Sequence, residues 1–257
     1  MSDFTAKRFD EMEAKRGVFR RAAAELGVTS FGMSVQDHPA GSDHYPDHAE
    51  PDQEEVYLAL SGSGEIDIQG ARVPLDPSVF VRVGAGTRHK VIPGPQGLRL
   101  LALGGIPGRP YQPPDFSKIE IDGEGSPKAD FEVKRIEEME AIYGGGFYKV
   151  RAELGLTSFG IQVFDLPPGF DRYPEHDHSE DRQEEVYIPL SGEAELAIDG
   201  ETVRLEPGMA VRIAAGKKRK LVTAESPIRV LALGGVPGEA YQVKRFTELG
   251  EPDPLLG

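Results

Sequence analysis

Several residue types and patterns are scarce in this sequence, and each absence excludes a class of protein. None of the 257 residues is cysteine, so disulfides, thiolate metal ligands and a cysteine nucleophile are excluded together. Positive charge is also scarce, because 29 Lys and Arg residues stand against 43 Asp and Glu residues, a formal net charge of −14. This balance argues against a surface for nucleic acid or for an anionic membrane, since both need excess positive charge.

Long apolar runs are missing as well. No run approaches the roughly 20 residues of a membrane-spanning helix, and residues 1–17 lack the apolar core of a secretory signal. The absence of cysteine fits a reducing compartment. We therefore expect a cytoplasmic protein, a monomer or homo-oligomer, with a small-molecule ligand and with neither nucleic acid nor membrane as a partner.

The most informative feature that is present is an internal repeat. Residues 27–32 (GVTSFG) return as 155–160 (GLTSFG), 53–57 (QEEVY) return unchanged as 183–187, and 101–105 (LALGG) return as 231–235. Roughly half of the aligned positions are identical, far above chance. The second copy carries two extra residues just after its histidines. A long period that occurs only twice predicts two domains and not a solenoid.

Within each copy the dominant hydrophobic period is two, which is typical of strands. Residues 64–68 and 193–198 alternate in polarity and end in turn signals, Gln69-Gly70 and Asp199-Gly200. Residues 210–213 and 228–233 are further strand-like runs. The spacing predicts an all-β fold, with an antiparallel barrel or sandwich in each copy.

Two segments give weaker signals. Residues 20–26 (RRAAAEL) look helical by propensity, but their counterpart at 148–152 (YKVRA) alternates like a strand. Because repeated copies should share structure, we predict strands for both. Residues 112–130 have the Pro, Gly and charge content of a linker, in which Ile119 and Ile121 form an optional edge strand.

The histidines of the second copy suggest a metal site. His176 and His178 are two residues apart, so in an extended chain both imidazoles face the same side. Glu185 and Tyr187 follow on one face of the next strand. Two imidazoles and one carboxylate form a ligand set used by first-row divalent metals. The alternative is a polar loop that faces solvent.

These residues give the chain a resemblance to the cupin superfamily, over residues 27–111 and 155–241. The first cupin motif is approximated in the second copy by Gly169, six residues, His176-x-His178, six residues, Glu185, six residues and Gly192. The second motif is approximated by Gly208, five residues, Ala214-x-Gly216, two residues and Arg219. The resemblance implies a bicupin with two double-stranded β-helix (jelly-roll) barrels, at 1–111 and 131–257, joined by a linker at 112–130.

The resemblance also implies metal ligands, although neither copy has the complete cupin set. The second copy offers His176, His178 and Glu185, with Arg219 where the family has its last histidine. The first copy offers a set with a glutamate in place of the second histidine: His48, Glu50, Glu55 and His89. Fe, Mn, Ni, Co and Zn all accept such ligands, so the implied cofactor is a divalent metal ion of unspecified identity.

Arg219 departs furthest from the cupin pattern. In the family this position faces the cavity, so the resemblance implies a buried guanidinium that pairs with Glu185 or holds an anionic ligand. The alternative is that Arg219 bends outward into a solvated basic turn of residues 217–220. Tyr45 and Tyr173 precede the histidines and are further candidate ligand contacts, whereas His38 and His44 have no histidine counterpart and no expected site role.

Three functions remain open at this point. The first is a metal-associated protein that binds or transforms a small molecule, for example a dioxygenase, decarboxylase or isomerase. The second is a metal-free module for a small anion or sugar, and the third is a structural barrel pair with decayed sites. We rank the first ahead. We also expect tighter metal binding in the second copy and barrels packed together like a fused dimer.

Overall fold

The computed structural model of the protein describes residues 3–43, 45–113, 120–121 and 128–253. We call residues 3–113 the first half and residues 128–253 the second half. Within the described part, no helix is both long enough and apolar enough to cross a membrane. His44 and Ile119 lie outside the described residues, so the expectations for those two positions stay predictions.

The first half consists of strands, a 3₁₀ turn at Phe9–Glu11 and one short helix. Its elements in chain order are β1 (Phe4–Arg8), β2 (Ala14–Lys15), β3 (Phe19–Arg20), α1 (Ala22–Leu26), β4 (Gly32–His38), β5 (His48–Ala49), β6 (Glu54–Ile68), β7 (Ala71–Leu75), β8 (Val79–Val83) and β9 (His89–Gly105).

Between the halves lies the two-residue strand β10 (Glu120–Ile121), which pairs with β5. The second half repeats the pattern of the first, with 3₁₀ turns at Ile136–Glu138 and Arg245–Thr247. Its elements are β11 (Phe131–Arg135), β12 (Ala141–Ile142), β13 (Phe147–Tyr148), α2 (Val150–Glu153), β14 (Gly160–Leu166), β15 (Glu184–Gly192), β16 (Ala194–Ile198), β17 (Glu201–Leu205), β18 (Met209–Ile213), β19 (Arg219–Val222) and β20 (Ile228–Gly235).

These strands form three antiparallel sheets and confirm the all-β prediction. One sheet has the order β1-β18-β15-β20-β14-β13-β12, and a second has β11-β8-β6-β9-β4-β3-β2 with β5, β7 and β10 attached. The third sheet is β17-β16-β19. Among the described residues each order is open at both ends, so the sheets do not close into the predicted barrels. In such a layered fold, side chains packed between the sheets join the layers in place of hydrogen bonds.

Each half contributes its first strand to the sheet of the other half. Strand β1 pairs with β18 across the chain, and β11 pairs with β8. One apolar core also draws buried side chains from both halves, and within it the rings of Phe31 and Phe159 lie 5.7 Å apart. Two smaller cores fill the first half and the second half separately. The halves are therefore packed together, whereas the domain boundaries at 111 and 131 stay a prediction, because the strand pairing crosses them.

The two hairpin turns occur as expected. Gln69 and Gly70 have φ angles of 51° and 89°, and Asp199 and Gly200 have 46° and 90°. Positive φ at both central residues is the signature of a two-residue hairpin turn that matches strand twist. These turns connect β6 to β7 and β16 to β17.

The strands predicted at 20–26 and 148–152 are wrong over most of their length. Helix α1 occupies the first segment and α2 overlaps the second. The buried apolar residues are spaced four apart, Ala22 with Leu26 and Val150 with Leu154, which is the helical period. The prediction failed because the strand-like alternation of residues 148–152 was applied to both copies, although Lys149 and Arg151 are buried as well as Val150.

Candidate metal centre and cavity

The second-half site is assembled from two chain segments held together by backbone hydrogen bonds. The N–H of His176 donates to the carbonyl of Arg219 at 3.1 Å, and the N–H of Arg219 donates back at 2.9 Å. The N–H of His178 donates to the carbonyl of Ala215 at 2.7 Å. Glu185 lies near the start of β15, opposite Ile213 of β18. Backbone pairing therefore fixes both histidines against the carboxylate.

The side chains of His176, His178 and Glu185 converge, as the sequence predicts. Their candidate ligand atoms all lie within 4.8 Å of one another. Nε2 of His178 lies 3.1 Å from Oε1 of Glu185, and Nε2 of His176 lies 3.7 Å from Oε2. Nε2 of His178 is nevertheless buried and makes no hydrogen bond.

The hydrogen bonds at Nδ1 determine what each Nε2 can do. In both second-half rings, Nδ1 contacts an atom that can only accept, the carbonyl of Pro174 for His176 and the carboxylate of Asp181 for His178. Nδ1 must therefore carry the proton, and a neutral ring presents an Nε2 lone pair to Glu185. A lone pair that faces a carboxylate oxygen at 3.1 Å requires a cation between them, either a proton or a metal ion. The donor set thus fits a divalent metal.

Arg219 is fully buried and pairs with Glu185, as expected for an inward-facing guanidinium. Its Nε donates to Oε2 of Glu185 at 2.9 Å, and Nη2 lies 2.9 Å from the same oxygen. Nη1 donates to the carbonyl of Lys217 at 2.6 Å. The outward-facing alternative is not observed. Arg219 is also not among the residues that line the cavity described below, so its predicted ligand-binding role stays a prediction without a contact to support it.

The electrostatics of Glu185 reflect these neighbours. Burial alone would raise the pKa of its carboxyl group, but contacts with His176 and His178 and the charge of Arg219 lower that pKa well below its ordinary value. The hydroxyl of Tyr187 donates to Oε2 at 2.9 Å. Burial tends to lower the pKa of His176, yet the contact with Glu185 raises it overall. The carboxylate is thus ionised and attracts a cation to Nε2 of the neighbouring rings.

The first half holds a second group of the same composition, His48, Glu55 and His89. Oε2 of Glu55 lies 3.3 Å from Nε2 of His89 and 4.0 Å from Nε2 of His48. Nδ1 of His48 faces the carbonyl of Pro46, and Nδ1 of His89 faces the carbonyl of Thr87. These rings therefore also direct Nε2 toward a carboxylate.

Glu50 and Tyr57 distinguish the first-half group from the second. Glu50 is buried but is not part of the group that converges, and its described hydrogen bond comes from Gln53 at 3.4 Å. Burial, and then the charge of Glu55, raise the pKa of Glu50 to about 7. The hydroxyl of Tyr57 lies 2.6 Å from Nε2 of His89 and competes for its lone pair. The predicted role of Glu50 as a metal ligand stays a prediction.

A cavity of about 1190 Å³ opens beside the second-half group, with His176, His178 and Glu185 in its wall. Much of the rest of the wall is aromatic, contributed by Phe147, Phe164, Phe170, Tyr173 and Phe246. Tyr173 therefore lies where a ligand contact is expected. Its counterpart Tyr45 is hydrogen-bonded to Tyr57 at 3.2 Å in the first half.

Two features of the cavity are not predicted by the sequence motifs. Lys244, Phe246 and Thr247, from beyond the repeated region, form part of the wall. The amide of Gln162 also lines the cavity, and its Oε1 is buried without a partner. In the first half the equivalent wall is polar, because Gln36 bonds Ser34 and His38. His38 is not part of the candidate metal group of His48, Glu55 and His89.

The fold can be compared with known proteins. Residues 162–234 match the family model described as Cupin domain. The structure is similar to protein Ylba from E. coli, with a TM-score of 0.65, 13% identity, and coverage of 94% of this chain and 93% of that one. No curated protein is a significant match by sequence.

Two enzymes are also among the similar structures. Oxalate decarboxylase of Bacillus subtilis, solved as a variant, has a TM-score of 0.62 and 14% identity over 91% of this chain and 78% of that one. A variant of salicylate 1,2-dioxygenase from Pseudoaminobacter salicylatoxidans, in complex with gentisate, has a TM-score of 0.64 and 11% identity over 91% and 82%. At these identities the likeness concerns the fold alone. The chain therefore matches the Cupin domain model over residues 162–234, and it shares its overall fold with these solved structures.

Proposed function

We propose that the protein binds a divalent transition-metal ion at His176, His178 and Glu185, and a small organic molecule in the adjoining cavity. The observation that carries this proposal is Nε2 of His178, which is buried, unpartnered and 3.1 Å from Oε1 of Glu185. A metal ion placed between these atoms would satisfy both of them. Two histidines and one carboxylate leave open coordination positions, as in non-haem metal oxygenases.

The residues around the group have separable roles in this proposal. A bound metal would polarise a coordinated ligand oxygen and so supply Lewis-acid chemistry. Arg219 and Tyr187 both hold Oε2 of Glu185, which leaves Oε1 directed at His178. Arg219 is thus a positioning residue. The aromatic wall of the cavity excludes water from the metal-facing end of a bound molecule.

The cavity and the fold relatives suggest the first ligands to test. Oxalate and gentisate, named for two structurally similar enzymes, are both small carboxylic acids. A carboxylate can coordinate a metal directly, and the exposed Arg172 at the cavity adds a positive charge. We therefore propose a small carboxylic acid as the ligand class, with the reaction unspecified.

We also propose that the chain is a bicupin that arose by duplication, with domains at 1–111 and 131–257. Equivalent strand pairs support this proposal. Strand β4 pairs with β9 from Gly32 opposite Gly104, and β14 pairs with β20 from Gly160 opposite Gly234. The exchange of first strands between the halves resembles a dimer interface retained after fusion.

The first-half group, His48, Glu55 and His89, is a second candidate metal site. We expect it to bind metal more weakly than the second-half group. The hydroxyl of Tyr57 already contacts Nε2 of His89 at 2.6 Å, and a metal ion would have to displace that hydrogen bond. In the second half, the equivalent hydroxyl of Tyr187 donates to Glu185, and none of its described hydrogen bonds goes to His176 or His178.

Elemental analysis of protein purified without a His-tag tests the metal proposal. We expect bound first-row metal, most of which is lost when His176 and His178 are both replaced by Ala. The matched control replaces His48 and His89 by Ala, and should retain most of the metal. An unchanged metal content in the His176/His178 variant contradicts the proposal.

Binding of oxalate and gentisate, followed by ligand-observed NMR, tests the cavity. We expect binding that weakens after metal is removed with a chelator. Equal binding before and after chelation would instead favour the metal-free module. Failure of both acids to bind at millimolar concentration would exclude the proposed ligand class.

A further inference from the structure

The two extra residues of the second copy give His178 an orienting carboxylate. In the first half, two residues separate Glu50 from Gln53, whereas four separate His178 from Gln183. The longer segment turns back on itself, since the N–H of Arg182 donates to the carbonyl of His178 at 2.7 Å and Arg182 has a φ of 57°. This turn brings Asp181 alongside the ring of His178.

Asp181 contacts the imidazole at the atom that faces away from the metal group. Nδ1 of His178 lies 2.9 Å from Oδ1 and 3.2 Å from Oδ2 of Asp181. The N–H of Gln183 also donates to Oδ1 at 3.2 Å. The other three histidines of the two groups use backbone carbonyls at this position. A carboxylate there fixes the ring more firmly and makes Nε2 a stronger metal ligand.

The same carboxylate is joined to the rim of the cavity. Nζ of Lys244 contacts Oδ2 of Asp181. Lys244 immediately precedes the 3₁₀ turn Arg245–Thr247, and Lys244, Phe246 and Thr247 all line the cavity. A continuous chain of contacts therefore runs from the cavity rim through Lys244 and Asp181 to His178.

We propose that Asp181 and Lys244 are positioning residues that hold His178 ready to bind metal and couple the cavity rim to the metal group. This inference rests on the proposed function, because His178 is taken as a metal ligand. Lys244 orients Asp181 and neutralises part of its charge, and Asp181 keeps the proton of His178 on Nδ1. By linkage, a molecule that shifts the rim changes the affinity for metal, and metal changes the affinity for that molecule equally.

Metal affinity is the first test, with Co²⁺ as the probe, titrated into the metal-free protein and followed by its visible absorption. Asp181→Ala should weaken Co²⁺ binding about 10- to 100-fold, the range found for outer-shell partners of metal ligands. Lys244→Met should weaken binding by a smaller factor, and Lys244→Arg should restore it. The control Lys134→Met removes a comparable lysine, which pairs with Glu153 at 3.3 Å. This control should leave the Co²⁺ affinity unchanged.

The tautomer of His178 is the second test, and it needs no metal. Long-range ¹H–¹⁵N NMR of the metal-free protein should show His178 protonated at Nδ1 when neutral, with its signals identified from a His178→Gln variant. Asp181→Ala should shift the population toward the Nε2-protonated form. A Co²⁺ affinity and a tautomer population that are both unchanged in Asp181→Ala would overturn the positioning role.

The two tests separate this inference from the proposed function. A native protein that binds no Co²⁺ at the second-half group contradicts the proposed function, while the tautomer measurement still decides whether Asp181 positions His178. An unaltered Co²⁺ affinity in Lys244→Met overturns the coupling to the rim, even if Asp181→Ala behaves as expected.

Discussion

Each half brings together two histidines and one glutamate, but the histidines come from different positions in the two halves. In the first half the converging histidines are His48 and His89, on strands β5 and β9. In the second half they are His176 and His178, two residues apart, and Arg219 occupies the position equivalent to His89. Each group keeps two imidazoles and one carboxylate. The comparison teaches that the same set of two imidazoles and one carboxylate can be assembled from different positions in the two halves.

The arginine also changes what the carboxylate does. Glu185 is an ion-pair partner of Arg219 as well as a candidate ligand, whereas the described partners of Glu55 are histidine and tyrosine side chains. Both tyrosines contact the carboxylate of their half, but the hydroxyl of Tyr57 also lies 2.6 Å from Nε2 of His89. The following predictions test whether these differences have consequences.

The largest effect is expected at the contact between the halves. Glu184 accepts hydrogen bonds from the backbone N–H groups of residues 29 and 30 and from Arg212 at 2.9 Å. Its counterpart Glu54 accepts from the N–H and the hydroxyl of Thr157. Glu184→Ala should lower the free energy of unfolding by about 4–5 kcal/mol, and Glu54→Ala by about 1–3 kcal/mol. Urea unfolding followed by circular dichroism checks this, and equal losses would contradict the asymmetry.

A smaller difference is expected within the two candidate metal groups. In metal-free protein, Glu185→Ala leaves Arg219 buried with carbonyl partners only, which should cost about 3 kcal/mol of unfolding free energy. Glu55→Ala leaves no permanently charged side chain without its partner, so it should lower the free energy of unfolding by about 1 kcal/mol. Thermal or urea unfolding of both variants measures the difference. If Glu55→Ala were the more destabilising change, the assigned role of Arg219 would be wrong.

The pH dependence of the unfolding free energy should reveal the raised pKa of Glu50. The pKa of its carboxyl group is about 7 in the folded protein and near 4.5 in an unfolded chain, so between these values only the folded state keeps the proton. Stability of the metal-free protein should therefore fall as the pH rises from about 4.5 to 7. Glu50→Gln should remove this loss and be about 2 kcal/mol more stable than the native protein at pH 8. If the unfolding free energies of the native protein and of Glu50→Gln differ by the same amount at every pH from 5 to 8, the raised pKa of Glu50 is ruled out.

Exchanging the residues that distinguish the halves should give the smallest effect. Arg219→His removes a fixed positive charge beside Glu185 and supplies a third imidazole, so Co²⁺ binding to the second half should tighten about tenfold. The reverse exchange, His89→Arg, should weaken binding to the first half. Co²⁺ titration measures both. An Arg219→His variant that binds no more tightly than the parent would contradict the comparison.

The fold and much of the site could be predicted from the sequence because local patterns determine them. Alternating polarity predicted β16 and the end of β6, and Asp199-Gly200 predicted the hairpin turn between β16 and β17. The motif spacing predicted that His176, His178 and Glu185 lie close together, and their candidate ligand atoms lie within 4.8 Å of one another. The helix propensity of residues 20–26 pointed to α1, and the prediction failed because the strand-like alternation of residues 148–152 was applied to both copies.

The remaining features depend on contacts between distant segments. Asp181 and Lys244 are 63 residues apart and meet only after the second half has folded. The exchange of β1 and β11 between the halves has no sequence signal either, because each strand would have the same pattern on its own half. The two extra residues after His178 are a local sequence sign that this segment makes a contact that the first half lacks.

Anomalous diffraction from crystals soaked in Co²⁺ tests the central claim most directly, because it locates the ion without reference to activity. The account predicts an anomalous peak about 2.0–2.2 Å from Nε2 of His176, Nε2 of His178 and Oε1 of Glu185, distances typical of imidazole and carboxylate ligands. A weaker peak between His48, Glu55 and His89 is compatible with this prediction. A peak confined to the first half, or no peak beside His178 in crystals of neutral pH, would contradict it.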